Sequence, residues 1–110
     1  MSDRDTEIMN YIREQKDTEP KYRFKEHGYL YEIREYVDKT YTQHYAQGKY
    51  QATDTILDAG YGEGFCMGNI LKYWKRYGKK DGKNRNDLLK IVHYAIIQLY
   101  LHDHERDMSK

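Results

Sequence analysis

The stretch Gly68-Asn69-Ile70-Leu71-Lys72-Tyr73-Trp74-Lys75-Arg76-Tyr77-Gly78-Lys79-Lys80 decides how this chain is read. At about 100° per residue it forms a helix with two unlike faces. Met67, Ile70, Leu71, Trp74 and Tyr77 recur at the spacing of a core-facing stripe, and Asn69, Lys72, Tyr73, Arg76 and Lys80 gather opposite. The apolar side is therefore expected to anchor the helix, leaving an amide, a phenol and several cations on the other. Such a polar face either holds an anion or stands in water. Lys72, Arg76 and Lys80 at i, i+4 and i+8 repel one another by a few tenths of a kcal/mol per pair, a cost that a bridging anion would remove.

Upstream of this helix lies Gly60-Tyr61-Gly62-Glu63-Gly64. Free N–H groups leading into a helix can cradle phosphate, but neither G-x-x-x-x-G-K-[ST] nor an unbroken G-x-G-x-x-G is present. The segment reads as a tight turn between helices. Downstream, residues 81–86 form a polar turn whose Asn86 is a good N-cap for a last helix over 87–103. Leu88, Val92, Ala95 and Leu99 line one face of that helix, while Leu89, Ile96 and Tyr100 extend it and Ile97 and Leu101 lie elsewhere. A helix apolar nearly all round needs cover on more than one side, which in a short chain points to a second subunit.

The remaining chain is also helical in period. Ile8, Met9 and Ile12 mark an amphipathic helix over 2–16, which Asp17-Thr18-Glu19-Pro20 breaks. Residues 21–25 alternate charged and aromatic side chains and read as an extended arm or a short edge strand. A second helix is expected over 28–41, a loop over 42–49, and a short helix over 50–59 capped by Gly60. The fold class is all-α, a small bundle of four to five helices. Residues 1–43 form an N-terminal helical extension and 44–110 the main helical domain, together one compact unit.

With 110 residues the chain suits a single core. That core is thin, because thirteen of the hydrophobic residues are tyrosines, whose hydroxyls need partners. Homo-oligomerisation would thicken it. The net charge of +1 argues against a general nucleic-acid surface, yet residues 72–85 hold seven cations against the single acid Asp81. A small anion fits that local charge better than a duplex does. The lone Cys66 excludes an internal disulfide and suits a reducing, cytoplasmic setting. No apolar run approaches the ~20 residues of a membrane span, and the charged N-terminus does not read as a signal peptide.

Other candidates for chemistry are weaker. His102 and His104 at i, i+2 do not share a helix face, so no metal site is read there. Cys66 lacks a ligand-spaced partner and reads as a small buried hydrophobe. Asp54 and Asp58, one turn apart, are read as solvated or pairing carboxylates ahead of magnesium ligands.

Taken in order, His44-Tyr45, Gln51 with Asp54-Thr55-Ile56, Phe65 to Tyr73, Arg76, Gly78-Lys79-Lys80, Asn86-Asp87-Leu88-Leu89-Lys90 and Tyr94 resemble a small all-helical bacteriophage family. That family was long filed as a domain of unknown function, and at least one member is a deoxynucleoside monophosphate kinase without a P-loop. The resemblance covers about residues 44–101. It implies nucleotide or phosphate binding by His44, Tyr45, Asn69, Lys72, Tyr73, Arg76, Lys79, Lys80 and Tyr94. It also implies catalytic roles for Lys72, Arg76 and Asp87, with Mg2+ entering on ATP, in the host cell cytoplasm if the chain is phage-encoded. Asn86 replaces an acid usual in the family, and residues 1–43 match nothing in it. Two further readings stand beside the kinase: a non-catalytic protein that sequesters a nucleotide or acts on a host protein, and a helical oligomerisation or adaptor module.

Overall fold

A computed structural model describes residues 3–15, 21–46, 49–80 and 82–108, with side chains for 3–10, 21–43, 52–80 and 82–104. Five helices follow one another: α1 (Asp3–Gln15), α2 (Glu26–Ala46), α3 (Lys49–Asp58), α4 (Gly62–Arg76) and α5 (Arg85–Met108). No strand occurs among the described residues, so the fold is an all-α bundle.

The boundaries correct several expectations. Residues 21–25 form no strand; they bend into α2, with the Phe24 N–H donating to Glu26 Oε1 at 2.7 Å and Lys25 at φ 58°. The break expected at 17–20 lies outside the described residues. α2 begins before Gly28 and runs on to Ala46, where a loop was expected from residue 42. Nothing in Thr42-Gln43-His44-Tyr45 breaks a helix, and the Thr40 and Thr42 hydroxyls donate back to the Tyr36 and Asp38 carbonyls at 2.8 and 3.1 Å. The helix thus continues past the end of its apolar stripe, to Ala46.

The turn between α3 and α4 follows the expected logic. Gly60 takes φ 89°, its N–H donates to the Leu57 carbonyl, and that of Tyr61 reaches the Ile56 carbonyl. This double closure is a Schellman motif, which needs a left-handed residue and so favours glycine. α4 starts at once, at Gly62, whose bare α-carbon lets Leu57 and Leu101 close in; a β-carbon there would sit 2.7 Å from both.

α4 ends earlier than expected. Tyr77 is extended, Gly78 turns at φ 84°, and the N–H groups of Lys79 and Lys80 fold back onto the Arg76 carbonyl. α5 begins earlier than expected, since its cap is Asn84: the side-chain oxygen accepts from the Asn86 N–H at 2.9 Å, while the carbonyl accepts from the Asp87 N–H. Either asparagine satisfies the cap preference, and the one upstream lengthens the helix by two residues, about half a turn.

α4 and α5 pair as an antiparallel hairpin. Leu101 reaches Gly62 at one end, and Tyr73 meets Lys90 and Tyr94 toward the other. α2 lies across α5, with Tyr36 edge-on to His93 at 6.0 Å and Glu32 taking a two-pronged ion pair from Arg85. α1 is tied to α2 by Arg4, which pairs with Glu35 and Asp38. The interior is as thin as the composition implies. Among the described residues only Cys66 and Tyr73 are buried hydrophobics, alongside Thr40, Asp87 and His93. The radius of gyration is 16.8 Å, against ~13 Å for a compact chain of this length.

Candidate functional site

The face of α4 that turns inward is not its most apolar one. Cys66 and Tyr73 are buried and Asn69, Ile70, Arg76 and Tyr77 half-buried, whereas Leu71 and Trp74 are 58% and 70% exposed and Met67 is exposed too. The expected anchor of Met67, Leu71 and Trp74 therefore faces outward. Hydropathy ranks side chains but does not count the neighbours available to cover them, and α2, α3 and α5 all lie on the other side.

That inward rotation builds a cleft of about 630 Å³ between α2, α3 and α5 with Tyr73 of α4 as one wall. Its lining includes Tyr36, Lys39 and Thr40 from α2, Thr53 from α3, and Asn86, Lys90, His93 and Tyr94 from α5. Tyr73 is 8% exposed. Its ring stacks on Tyr94 at 6.2 Å between centroids and 16° between planes, and Phe65 meets Tyr94 edge-on at 5.6 Å.

Three cations converge on the same ring. Lys72 Nζ lies 4.8 Å from the Tyr73 centroid, Lys90 Nζ 4.9 Å and the Arg76 guanidinium carbon 5.9 Å. Cation–π attraction gives each a foothold of about 0.5–1 kcal/mol where exposed, while their like charges oppose the gathering. No carboxylate is among the described residues that line the cleft. Asp87, next to the lining Asn86 and one turn before Lys90, is only 3% exposed, with Oδ2 lacking a hydrogen-bond partner among the described residues. As an acid in the first turn of α5 it meets the positive end of the helix dipole.

Burial pushes the phenols of Tyr94 and Tyr36 above the usual tyrosine value, reinforced for both by neighbouring Tyr73 and offset at Tyr36 by its hydrogen bond to Thr40. Both hydroxyls therefore stay protonated at neutral pH and can donate. Burial likewise raises the Cys66 thiol, the opposite of what a thiolate nucleophile needs.

Of the residues singled out from the sequence, Tyr73 and Tyr94 line the cleft, while Lys72 and Arg76 reach the Tyr73 ring without being among the lining residues. Asn69 is beside them, but its amide donates to the Phe65 carbonyl one turn back at 2.8 Å, leaving only its oxygen for another partner. Lys79 and Lys80 have left the helix for an exposed turn, so the aligned row Lys72, Arg76, Lys80 does not form. His44 and Tyr45 fall in the last turns of α2, and their side chains lie outside the described residues. Lys90, His93, Tyr36, Lys39 and Thr40 were missed. Lys90 and His93 carried a signal, as polar residues on the buried side of an apolar helix at i+3 and i+6 from Asp87.

No group of three or more His, Cys, Asp or Glu able to hold a metal ion occurs among the described residues. At the end of α5, His104 Nδ1 donates to the Tyr100 carbonyl at 2.8 Å and its ring lies on that of Tyr100. No described helix is long and apolar enough to cross a membrane.

Residues 39–96, just over half of the chain, match a family described as a protein of unknown function, DUF3310. The matched span holds Lys39, Thr40, Thr53, Tyr73, Asn86, Lys90, His93 and Tyr94, most of the cleft. No curated protein and no solved structure matches the chain.

Proposed function

The chain belongs to the DUF3310 family, and we propose that its cleft binds a small phosphate-bearing ligand, a nucleotide, with deoxynucleoside monophosphate kinase activity as the reaction it would serve. The observation that carries this reading is the convergence of Lys72, Arg76 and Lys90 on the ring of Tyr73, which forms one wall of the cleft, with no carboxylate among the described lining residues. Arg76 offers a planar fork to phosphate oxygens and the lysines offer mobile point charges. Tyr36 and Tyr94 add protonated hydroxyls as donors, and an aromatic wall suits a base.

Phosphoryl transfer asks the protein chiefly for positioning and charge neutralisation. Lys72 and Arg76 would neutralise the transferred group, and Lys90 joins them in that role. Asp87 is too deeply buried to reach a substrate directly and is better suited to hold the start of α5. Any Mg2+ would arrive on the phosphates of ATP, because the residues lining the cleft hold no carboxylate for it. Thermal shift against a panel of deoxynucleoside monophosphates tests binding, since a ligand specific to the folded state raises apparent stability. Incubation with Mg-ATP and chromatography of the nucleotides tests turnover. If no nucleotide raises the melting temperature and Arg76→Ala behaves like the parent, the binding reading falls.

The missing carboxylate also supports a second reading. A cleft whose described lining offers cations and phenols but no carboxylate is suited to sequester a nucleotide without transforming it. Calorimetric binding with no product from Mg-ATP would select it over the kinase, and a host protein or oligomeric scaffold would then be its natural context.

A further inference from the structure

Glu35 and Lys39 stand one turn apart on α2 with the acid nearer the N-terminus, the arrangement in which a helix favours pairing them. The structure pairs Glu35 elsewhere. Its Oε1 lies 2.5 Å from Nη2 of Arg4 on α1, and the same guanidinium takes Asp38. Lys39 is left to line the cleft beside Tyr36 and Thr40.

This pairing bears on the cleft because the two places share a wall. Arg4, Glu32, Glu35 and Asp38 face a second hollow of about 460 Å³, which has Tyr36, Lys39 and Asn86 in common with the cleft. Each acid lining that hollow is held by an arginine from another element: Glu35 and Asp38 by Arg4, and Glu32 by Arg85 at the start of α5. With Arg85 committed to Glu32, it is Arg4 that keeps the other two carboxylates from Lys39.

The helix that carries Arg4 is lightly held. A hollow of about 400 Å³ separates Arg4 and Ile8 of α1 from Leu30 and Tyr31 of α2, and Ile8 alone is half-buried among the described side chains of α1. A helix of 13 residues is marginal without packing, so the Arg4 pairs carry much of its attachment. Exposed ion pairs are individually weak, and an attachment made of them is readily released.

We propose that Arg4 is a positioning residue for the cleft: by occupying Glu35 and Asp38 it leaves Lys39 to meet a phosphate-bearing ligand, and release of α1 lowers the affinity for that ligand. The proposal rests on the cleft being a phosphate site. Once Arg4 leaves, Glu35 takes Lys39 in the favoured pair and Asp38 stands unneutralised beside it. The cleft loses a cation and gains a neighbouring negative charge.

Calorimetry of the full chain with inorganic pyrophosphate tests this. Arg4→Ala should weaken binding about tenfold, the loss of one charge-assisted hydrogen bond at the weak end of its range. Adding Glu35→Gln and Asp38→Asn to that variant should restore the affinity, although α1 still lacks its anchor; a purely structural role for α1 would not be rescued in this way. Lys39→Met in the parent supplies an arm that leaves α1 untouched, and it should weaken binding by a similar factor. If the parent binds pyrophosphate and Arg4→Ala binds it equally, or is not rescued, or Lys39→Met is without effect, the role of Arg4 falls while the phosphate site stands. A parent that binds no pyrophosphate overturns the phosphate site and the role of Arg4 with it.

Discussion

Tyr73 of α4 and Tyr94 of α5 lie with ring planes 16° apart and centroids 6.2 Å apart, and this stack joins the core of the molecule to its cleft. Tyr73 is one of only two buried hydrophobic residues among the described ones. Truncating it removes both packing and the wall on which the cations rest. Tyr73→Ala should destabilise the fold by about 3–5 kcal/mol, the range for large aromatic truncations in cores. Tyr73→Phe should cost much less. Urea denaturation followed by circular dichroism measures both, and equal losses for the two would show that the hydroxyl carries more than the ring.

Lys90 and Arg76 should separate binding from stability. Each forms a cation–π contact worth little in water and suffers repulsion from the other cations, so Lys90→Met and Arg76→Ala should each move stability by no more than about 1 kcal/mol. Ligand affinity is another matter. A charge-assisted hydrogen bond to phosphate contributes about 1.5–3 kcal/mol, or roughly ten- to a hundred-fold in the dissociation constant. Calorimetry with the nucleotide that gives the largest thermal shift reads this directly. A variant that melts like the parent and binds like it would remove that residue from the site.

The helical period of this chain identified the five helices and the Gly60 turn and set Lys72, Tyr73 and Arg76 on one face, while Tyr94 was reached only through the family resemblance. It misjudged which side of α4 faces inward, for a physical reason. Met67, Leu71 and Trp74 are the more apolar set, but a helix buries the side on which neighbours exist, and the sequence of α4 alone does not say where α2 and α5 will lie. The same gap hid Lys90 and His93, which become site residues only when α2 brings Tyr36, Lys39 and Thr40 across from them. Lys79 and Lys80 were misplaced by a local effect: Gly78 ends the helix before their turn comes, through a left-handed conformation that glycine adopts freely.

Gly62 should be intolerant of any side chain. A β-carbon at this position would lie 2.7 Å from methyl carbons of both Leu57 and Leu101, where the ends of α3, α4 and α5 meet. Glycine in a helix is ordinarily replaced by alanine with a gain of about 1 kcal/mol, and overpacking costs about 1–3 kcal/mol. Contact at this distance should make the second effect win, so Gly62→Ala lowers stability. Leu101→Ala is itself destabilising, but in the double variant the two losses should sum to less than their separate values. A double-mutant cycle in urea measures that coupling, and strict additivity would refute the clash.

Alkaline pH offers a test of the cleft without any ligand. Tyr94 and Tyr36 titrate above the usual tyrosine value because burial disfavours the phenolate. In the unfolded chain they ionise near pH 10. For a group whose folded value is the higher, the folded state binds the proton more tightly. Its contribution is fully present below the unfolded value and is lost as pH rises through the folded one. Stability should therefore hold to about pH 10 and then decline. Tyr94→Phe removes one of these titrations, so its stability should fall less steeply over that interval than the parent's, even if it starts lower. Denaturation midpoints taken at intervals through the alkaline range decide the matter, and parallel curves for parent and variant would mean that Tyr94 ionises as freely in the folded chain as in the unfolded one.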